Sequence, residues 1–106
     1  MKIIKQFNYQ PAAVVGGYTD RILRIDLCSR EIKIQELPPD FKAKYTGGRG
    51  YAIKLIWDET REETRYDSPE NPLVMANGPL GNEPGFPGTG KFIVGTISPL
   101  TDTFVD

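Results

Sequence analysis

The chain has 106 residues, 39% hydrophobic and 25% charged, the composition of one soluble globular domain or of part of a larger one. A formal net charge of −1, a pI near 5.4 and no run of basic residues exclude a general nucleic-acid or acidic-membrane binder. One cysteine, Cys28, and no histidine exclude an intrachain disulfide, a Cys/His zinc site and every Ser-His or Cys-His nucleophile pair. An iron–sulfur cluster needs about four thiolates, so this chain alone cannot hold one.

The opening MKIIKQFNYQPAA has no signal-peptide core, and no apolar run approaches the roughly 20 residues of a membrane span. The expected compartment is the cytoplasm. Residues 1–16 lack a clear period and read as a weakly ordered arm, with a short strand at Lys2–Phe7. From Thr19 the pattern sharpens. Leu23, Ile25 and Leu27 alternate with Arg24 and Asp26, and Ile32 and Ile34 continue the alternation after "CSRE". This predicts a hairpin of residues 20–27 and 31–37, with Leu23, Ile25, Ile32 and Ile34 on one buried face, although its turn lacks Gly or Asn.

Pro38-Pro39 ends the sheet, and Asp40 is placed to N-cap a short helix, "FKAKY", which Gly47 or Gly48 can close in the left-handed conformation. A second helix is expected over 51–59, with Tyr51, Ala52, Leu55 and Ile56 on one face and Lys54 and Asp58 facing out. Trp57 is expected to pack that helix onto the sheet. "TREETRYDSPENP" is a polar connection. "LVMA" and "KFIVGTI" read as strands buried on both faces, and "TFVD" as the start of another strand whose edge would be unpaired. The fold class is α+β, mostly β, with two short helices, and the chain reads as a fragment.

Two glycine segments stand out. "NGPLGNEPGFPGTGK", residues 77–91, holds five glycines and three prolines. Composition leaves open a flexible linker, a stiffened surface loop, or a backbone cradle in which N–H groups and Lys91 face an anion. Gly85–Lys91 matches the start of a P-loop, but Phe92 stands where that motif needs Ser or Thr, and Lys91 opens a strand rather than a helix. In "TGGRGYA", the start of the second helix and Arg49 could grip a carboxylate or phosphate; the alternative is a helix–helix corner with a solvated arginine. Cys28 sits in a turn as a spectator, and Asp58, Glu59, Glu62 and Glu63 form a solvated stretch.

The order of segments carries more than any one of them. "GY-T-x-x-I-L-R-I-D-L", "I-x-x-x-E-L-P", "K-Y-x-G-G-R-G-x-A-x-K-L-I", "S-P-E-N-P-L-V-M-A-x-G-P-L", a Gly/Pro loop ending in G-K, and "S-P-L-T" follow one another. This series resembles the N-terminal part of the tungsten-containing aldehyde ferredoxin oxidoreductase family, from Gly17 to about Asp106. The resemblance implies a partial N-terminal β-sheet domain over 17–106, after an arm of residues 1–16, on which a bis-pterin (molybdopterin) tungsten cofactor rests. It implies that Lys91 contacts a pterin phosphate, with Gly90 in the cradle and Arg49 as a further candidate, and that this segment contributes no catalytic residue and no metal ligand.

In the complete enzyme the resemblance further implies a 4Fe-4S cluster, oxidation of aldehydes to carboxylic acids, and ferredoxin as electron partner. The chain alone would carry no cofactor and be inactive, with the remainder of the enzyme or a complementary subunit as its partner. A tungsten subunit of the benzoyl-CoA reductase type is a related reading. The alternative class is a detached β-domain that binds a partner protein, or assembles as a homo-oligomer through its open edge.

Overall fold

The computed structural model describes residues 1–81, 83–85 and 87–106; Asn82 and Phe86, inside the glycine–proline loop, lie outside the described residues. The architecture is α+β, with two small antiparallel sheets and two helices. Strands β1 (Arg21–Asp26) and β2 (Glu31–Glu36) form the expected hairpin, with Leu23 opposite Ile34 and Ile25 opposite Ile32. Its turn uses chemistry other than glycine. The Asp26 carboxylate accepts from the N–H groups of Cys28 (2.8 Å) and Ser29 (2.9 Å), and Arg30 takes the left-handed conformation at φ 57°. Hydrogen bonding from Ser29, then from Cys28, holds the Asp26 carboxyl below the usual carboxylate range.

The four apolar side chains share a face, but that face is not buried: Leu23 is 51% and Ile25 54% exposed. The opposite face carries the contact with the body instead. Arg24 reaches helix α2 (Arg49–Glu59) and donates both Nη groups to the Glu59 carboxylate at 2.6 Å. Glu59 is thus a tether, not part of a solvated acidic stretch. Residues 2–7 form no strand. The arm ends in a tight two-residue turn, where Val15 and Tyr18 exchange backbone hydrogen bonds around Gly16 and Gly17.

Helix α1 (Phe41–Tyr45) follows Asp40, whose side chain does not cap it and pairs with Lys44 instead. The left-handed exit starts earlier than expected, at Thr46 (φ 62°), and runs through Gly47 and Gly48. Helix α2 turns Ala52 and Ile56 into the core and leaves Trp57, one residue further round, 77% exposed. The expectation that Trp57 packs onto the sheet fails because Ile56 occupies the facing position. Trp57 lines an open hollow of about 250 Å³ with Ile53, Ile97 and Phe104.

The second sheet has the order β3 (Val74–Ala76), β4 (Ile93–Ile97), β5 (Phe104–Val105), all antiparallel. Helix α2 covers one face, where a Cβ on Gly95 would lie 3.0 Å from the Ala52 Cβ. The other face is open, so β3 and β4 are not buried on both sides: Met75 is 66% and Val94 38% exposed. "TFVD" does contribute a strand, paired to β4. Asn71, from the SPENP segment, locks β4 in place: its amide donates to the Tyr66 and Ile97 carbonyls and accepts from the Ile97 N–H at 3.1 Å.

Three glycine-bearing segments meet where the elements join. A Cβ on Gly17 would lie 2.1 Å from the Pro79 carbonyl oxygen, and one on Gly47 2.9 Å from the Asn77 oxygen. The Gly48 N–H donates to the same Asn77 oxygen at 2.9 Å, and the Tyr18 hydroxyl donates to the Thr46 carbonyl at 2.8 Å. Backbone lies against backbone here, with no room for a side chain.

Two outcomes follow for stability. We predict that Gly17→Ala costs about 2–4 kcal/mol in chemical denaturation, adding backbone displacement to left-handed strain, whereas Gly16→Ala costs about 1 kcal/mol. Gly16 has the same sign of φ but nothing within 4 Å of an added Cβ, so equal losses would show that the contact with Pro79 is unimportant. For the tether, a double-mutant cycle on Arg24→Ala and Glu59→Ala should give a coupling of about 1 kcal/mol, the upper end for a partly exposed pair. Zero coupling would mean that the hairpin is held by other contacts.

Candidate anion site at the start of the second helix

The corner between α1 and α2 is shaped by glycine for steric reasons. A Cβ on Gly50 would stand 2.0 Å from the Tyr45 carbonyl oxygen, so the second helix can start this close to the first only without a side chain there. The helix begins with Arg49 rather than at Tyr51, which puts the guanidinium on its first turn. There it meets an anion from the chain itself. The Asp106 carboxylate, just past β5, accepts from Arg49 Nε through Oδ2 and from Nη2 through Oδ1, the latter at 2.9 Å. Arg49 is 67% exposed at its side chain and Asp106 only 11%.

Lys91 lies two residues before β4, is exposed, and makes no hydrogen bond or ion pair with the described residues. Ile93, the first residue of β4, pairs with Ala76 at the end of β3, and its Cγ1 lies 3.7 Å from where a Cβ on Gly48 would be. The topology therefore brings the start of α2, the exit of β3 and the Lys91 entry to β4 to one end of the sheet.

Within the loop, Gly88 takes φ 85°, and Cβ positions on Gly78, Gly88 and Gly90 meet nothing within 4 Å among the described residues. Their backbone is open to approach. The Gly85 N–H is engaged by the Glu83 carboxylate at 3.2 Å, and Glu83 also accepts the Thr89 hydroxyl at its carbonyl (2.9 Å), so Glu83 braces the loop. Of the N–H groups expected to line a cradle, that of residue 86 lies outside the described residues. Neither the hollow beside Trp57 nor a smaller one between Arg24 and Lys33 is lined by Lys91 or Gly90.

This donor set suits one kind of ligand. An arginine fork, an exposed lysine and open glycine backbone are donor types that suit a phosphate or another oxyanion. No group of three or more Cys, Asp or Glu residues that could hold a metal ion occurs among the described residues. Nearby, the Tyr51 hydroxyl is buried without a partner among them, and burial pushes its pKa up. Asp106 was not legible as part of this site. It lies far from Arg49 in the chain, and "TFVD" has no pattern marking an arginine partner.

Known proteins carry the same segment. The family described as "Aldehyde ferredoxin oxidoreductase, N-terminal domain" matches residues 22–106. The tungsten-containing aldehyde ferredoxin oxidoreductase of Pyrococcus abyssi is 38% identical over 85 residues, covering 80% of this chain and 14% of that protein. The aliphatic sulfonate oxidoreductase, WOR-like subunit, of Pyrococcus furiosus is 36% identical over 73 residues, 65% of this chain and 12% of that one. Among solved structures, the active-site complex BamBC of benzoyl-coenzyme A reductase with 1,5-dienoyl-CoA superposes with a TM-score of 0.73 at 35% identity. It covers 84% of this chain and 14% of that chain. The chain thus spans about 14% of the length of the tungsten-containing relatives it matches. No helix among the described residues is long and apolar enough to cross a membrane. Over residues 22–106 the chain belongs to the aldehyde ferredoxin oxidoreductase family, in its N-terminal domain.

Proposed function

We propose that residues 17–106 are the cofactor-cradling segment of a tungstopterin iron–sulfur oxidoreductase that oxidises aldehydes to carboxylic acids with ferredoxin as electron acceptor. The observation that carries the reading is the packing of Gly48, the residue before Arg49, against Ile93, two residues after Lys91, which puts the start of α2 and the entry to β4 at one end of the second sheet. Lys91 supplies an exposed ammonium, unpaired among the described residues, for a pterin phosphate, Gly90 lets the ligand approach the backbone, and Arg49 supplies directed N–H donors. When bound, the tungsten pterin supplies the redox chemistry at the metal. This chain's part is to bind and orient, since it offers no thiolate set for a cluster and no histidine for proton transfer.

The exposed apolar faces fit the same reading. Leu23 and Ile25 on the hairpin, and Met75 and Val94 on the open side of the second sheet, are surfaces that the remainder of the enzyme or a complementary subunit would cover. A second reading, a tungsten subunit of the benzoyl-CoA reductase type, is supported by the 35% identity to the solved BamBC complex, close to the 38% of the aldehyde-oxidising relatives. Both readings use the cradle alike and differ in substrate.

The test is cofactor retention in the complete enzyme that contains this segment. We predict that Lys91→Ala lowers tungsten per protein after identical purification. A charge-assisted bond to phosphate contributes about 1.5–3 kcal/mol, roughly ten- to a hundredfold in affinity. Lys91→Arg should retain most of it. Equal tungsten in the alanine form would return the loop to a stiffened turn with a solvated lysine.

A further inference from the structure

Arg49 is already engaged by one anion, yet its side chain is two-thirds exposed, and the two facts are compatible only through the shape of the guanidinium. Arginine has five N–H donors arranged in more than one fork. Asp106 takes Nε and one hydrogen of Nη2, leaving the Nη1 hydrogens and the second Nη2 hydrogen as a second fork. The sheltered partner is the carboxylate, at 11% exposure, and β5 carries it: Val105 pairs with Thr96 immediately before it. An arginine without such a partner samples many rotamers and loses that freedom on binding; one held by a sheltered carboxylate has lost much of it already.

We propose that Asp106 is a positioning residue for Arg49: it grips one edge of the guanidinium and thereby presents the other edge, at the end of the sheet where β4 begins, to a phosphate or pyrophosphate group. This rests on the cradle reading above and adds a residue and a division of labour. The Arg49–Asp106 pair is neutral, so Lys91 brings the net charge and Arg49 the directed hydrogen bonds. The opposite role, in which Asp106 competes with the ligand for Arg49, predicts the reverse response to its removal.

The 106-residue chain, labelled with 15N, is titrated with inorganic pyrophosphate at low ionic strength and followed by NMR, including the Arg49 Nε–H signal. The wild-type chain should bind, with that signal hydrogen-bonded and slow to exchange before any addition. Arg49→Gln and Lys91→Ala should each weaken binding about tenfold. Asp106→Asn should weaken it about three- to tenfold and abolish the protected Nε–H signal, although the substitution removes a negative charge from the site. Asp106→Glu, which keeps the carboxylate, should recover part of both, separating positioning from general loss of structure. Unchanged or tighter binding in Asp106→Asn, while Arg49→Gln and Lys91→Ala still weaken it, overturns the positioning role and leaves the cradle standing. Absence of binding by the wild-type chain, or indifference to Arg49→Gln and Lys91→Ala, overturns the cradle for this chain and the inference with it.

Discussion

Backbone packed on backbone, with glycine as the only residue that fits, is the constraint from which the arrangement of this chain follows. Gly17 lies against Pro79, Gly47 against Asn77, and Gly50 against Tyr45, each closer than any β-carbon could tolerate. These contacts join the start of the first hairpin, the corner between the helices and the exit of β3 without using a side chain. Because they lie beside the start of α2, they also set where Arg49 stands relative to the loop that ends at Lys91. The hydrogen bonds across the junction, Gly48 to Asn77 and Tyr18 to Thr46, satisfy polar groups that such close packing would otherwise strand.

The side-chain core is small beside this junction. Phe41, Ala52, Ile56 and Ile97 are the buried apolar residues among those described, while both sheets leave an apolar face in water. A two-stranded hairpin is marginal by itself, and this one is tied to the body by Arg24 and Glu59 rather than by its own apolar stripe. Such a distribution suits a layer in a larger assembly, as does the 14% share of the tungsten-containing relatives' length that the segment spans. Burial that is missing within the segment is what a neighbouring layer would provide.

The sequence was legible wherever a local rule decided the outcome. Alternation gave the hairpin's register, because pairing Leu23 with Ile34 and Ile25 with Ile32 is what keeps four apolar residues on one face. The 3.6-residue period picked out Ala52 and Ile56 as the buried stripe of α2. What periodicity cannot say is whether a face has anything to pack on, so Leu23 and Ile25 of the hairpin stripe, the outer side of β3–β4 and Trp57 read as interior in the sequence and are exposed. Asp40 failed as a cap because Lys44, one turn on, draws its carboxylate away. Lys91 and Gly90 are candidates because of their loop, and Arg49 because of its flanking glycines. Asp106 and Asn71 act through partners distant in sequence, and only the folded chain brings them together.

On the function proposed above, this end of the second sheet receives the phosphate of a pterin cofactor. An experimental structure of the cofactor-loaded enzyme that contains this segment tests it most directly. The account predicts a phosphate oxygen within about 2.7–3.2 Å of the Lys91 Nζ, with the free edge of the Arg49 guanidinium turned toward the same group. Pterin phosphates held wholly by other parts of the enzyme, with Lys91 in solvent and Arg49 bound to Asp106 alone, would contradict it.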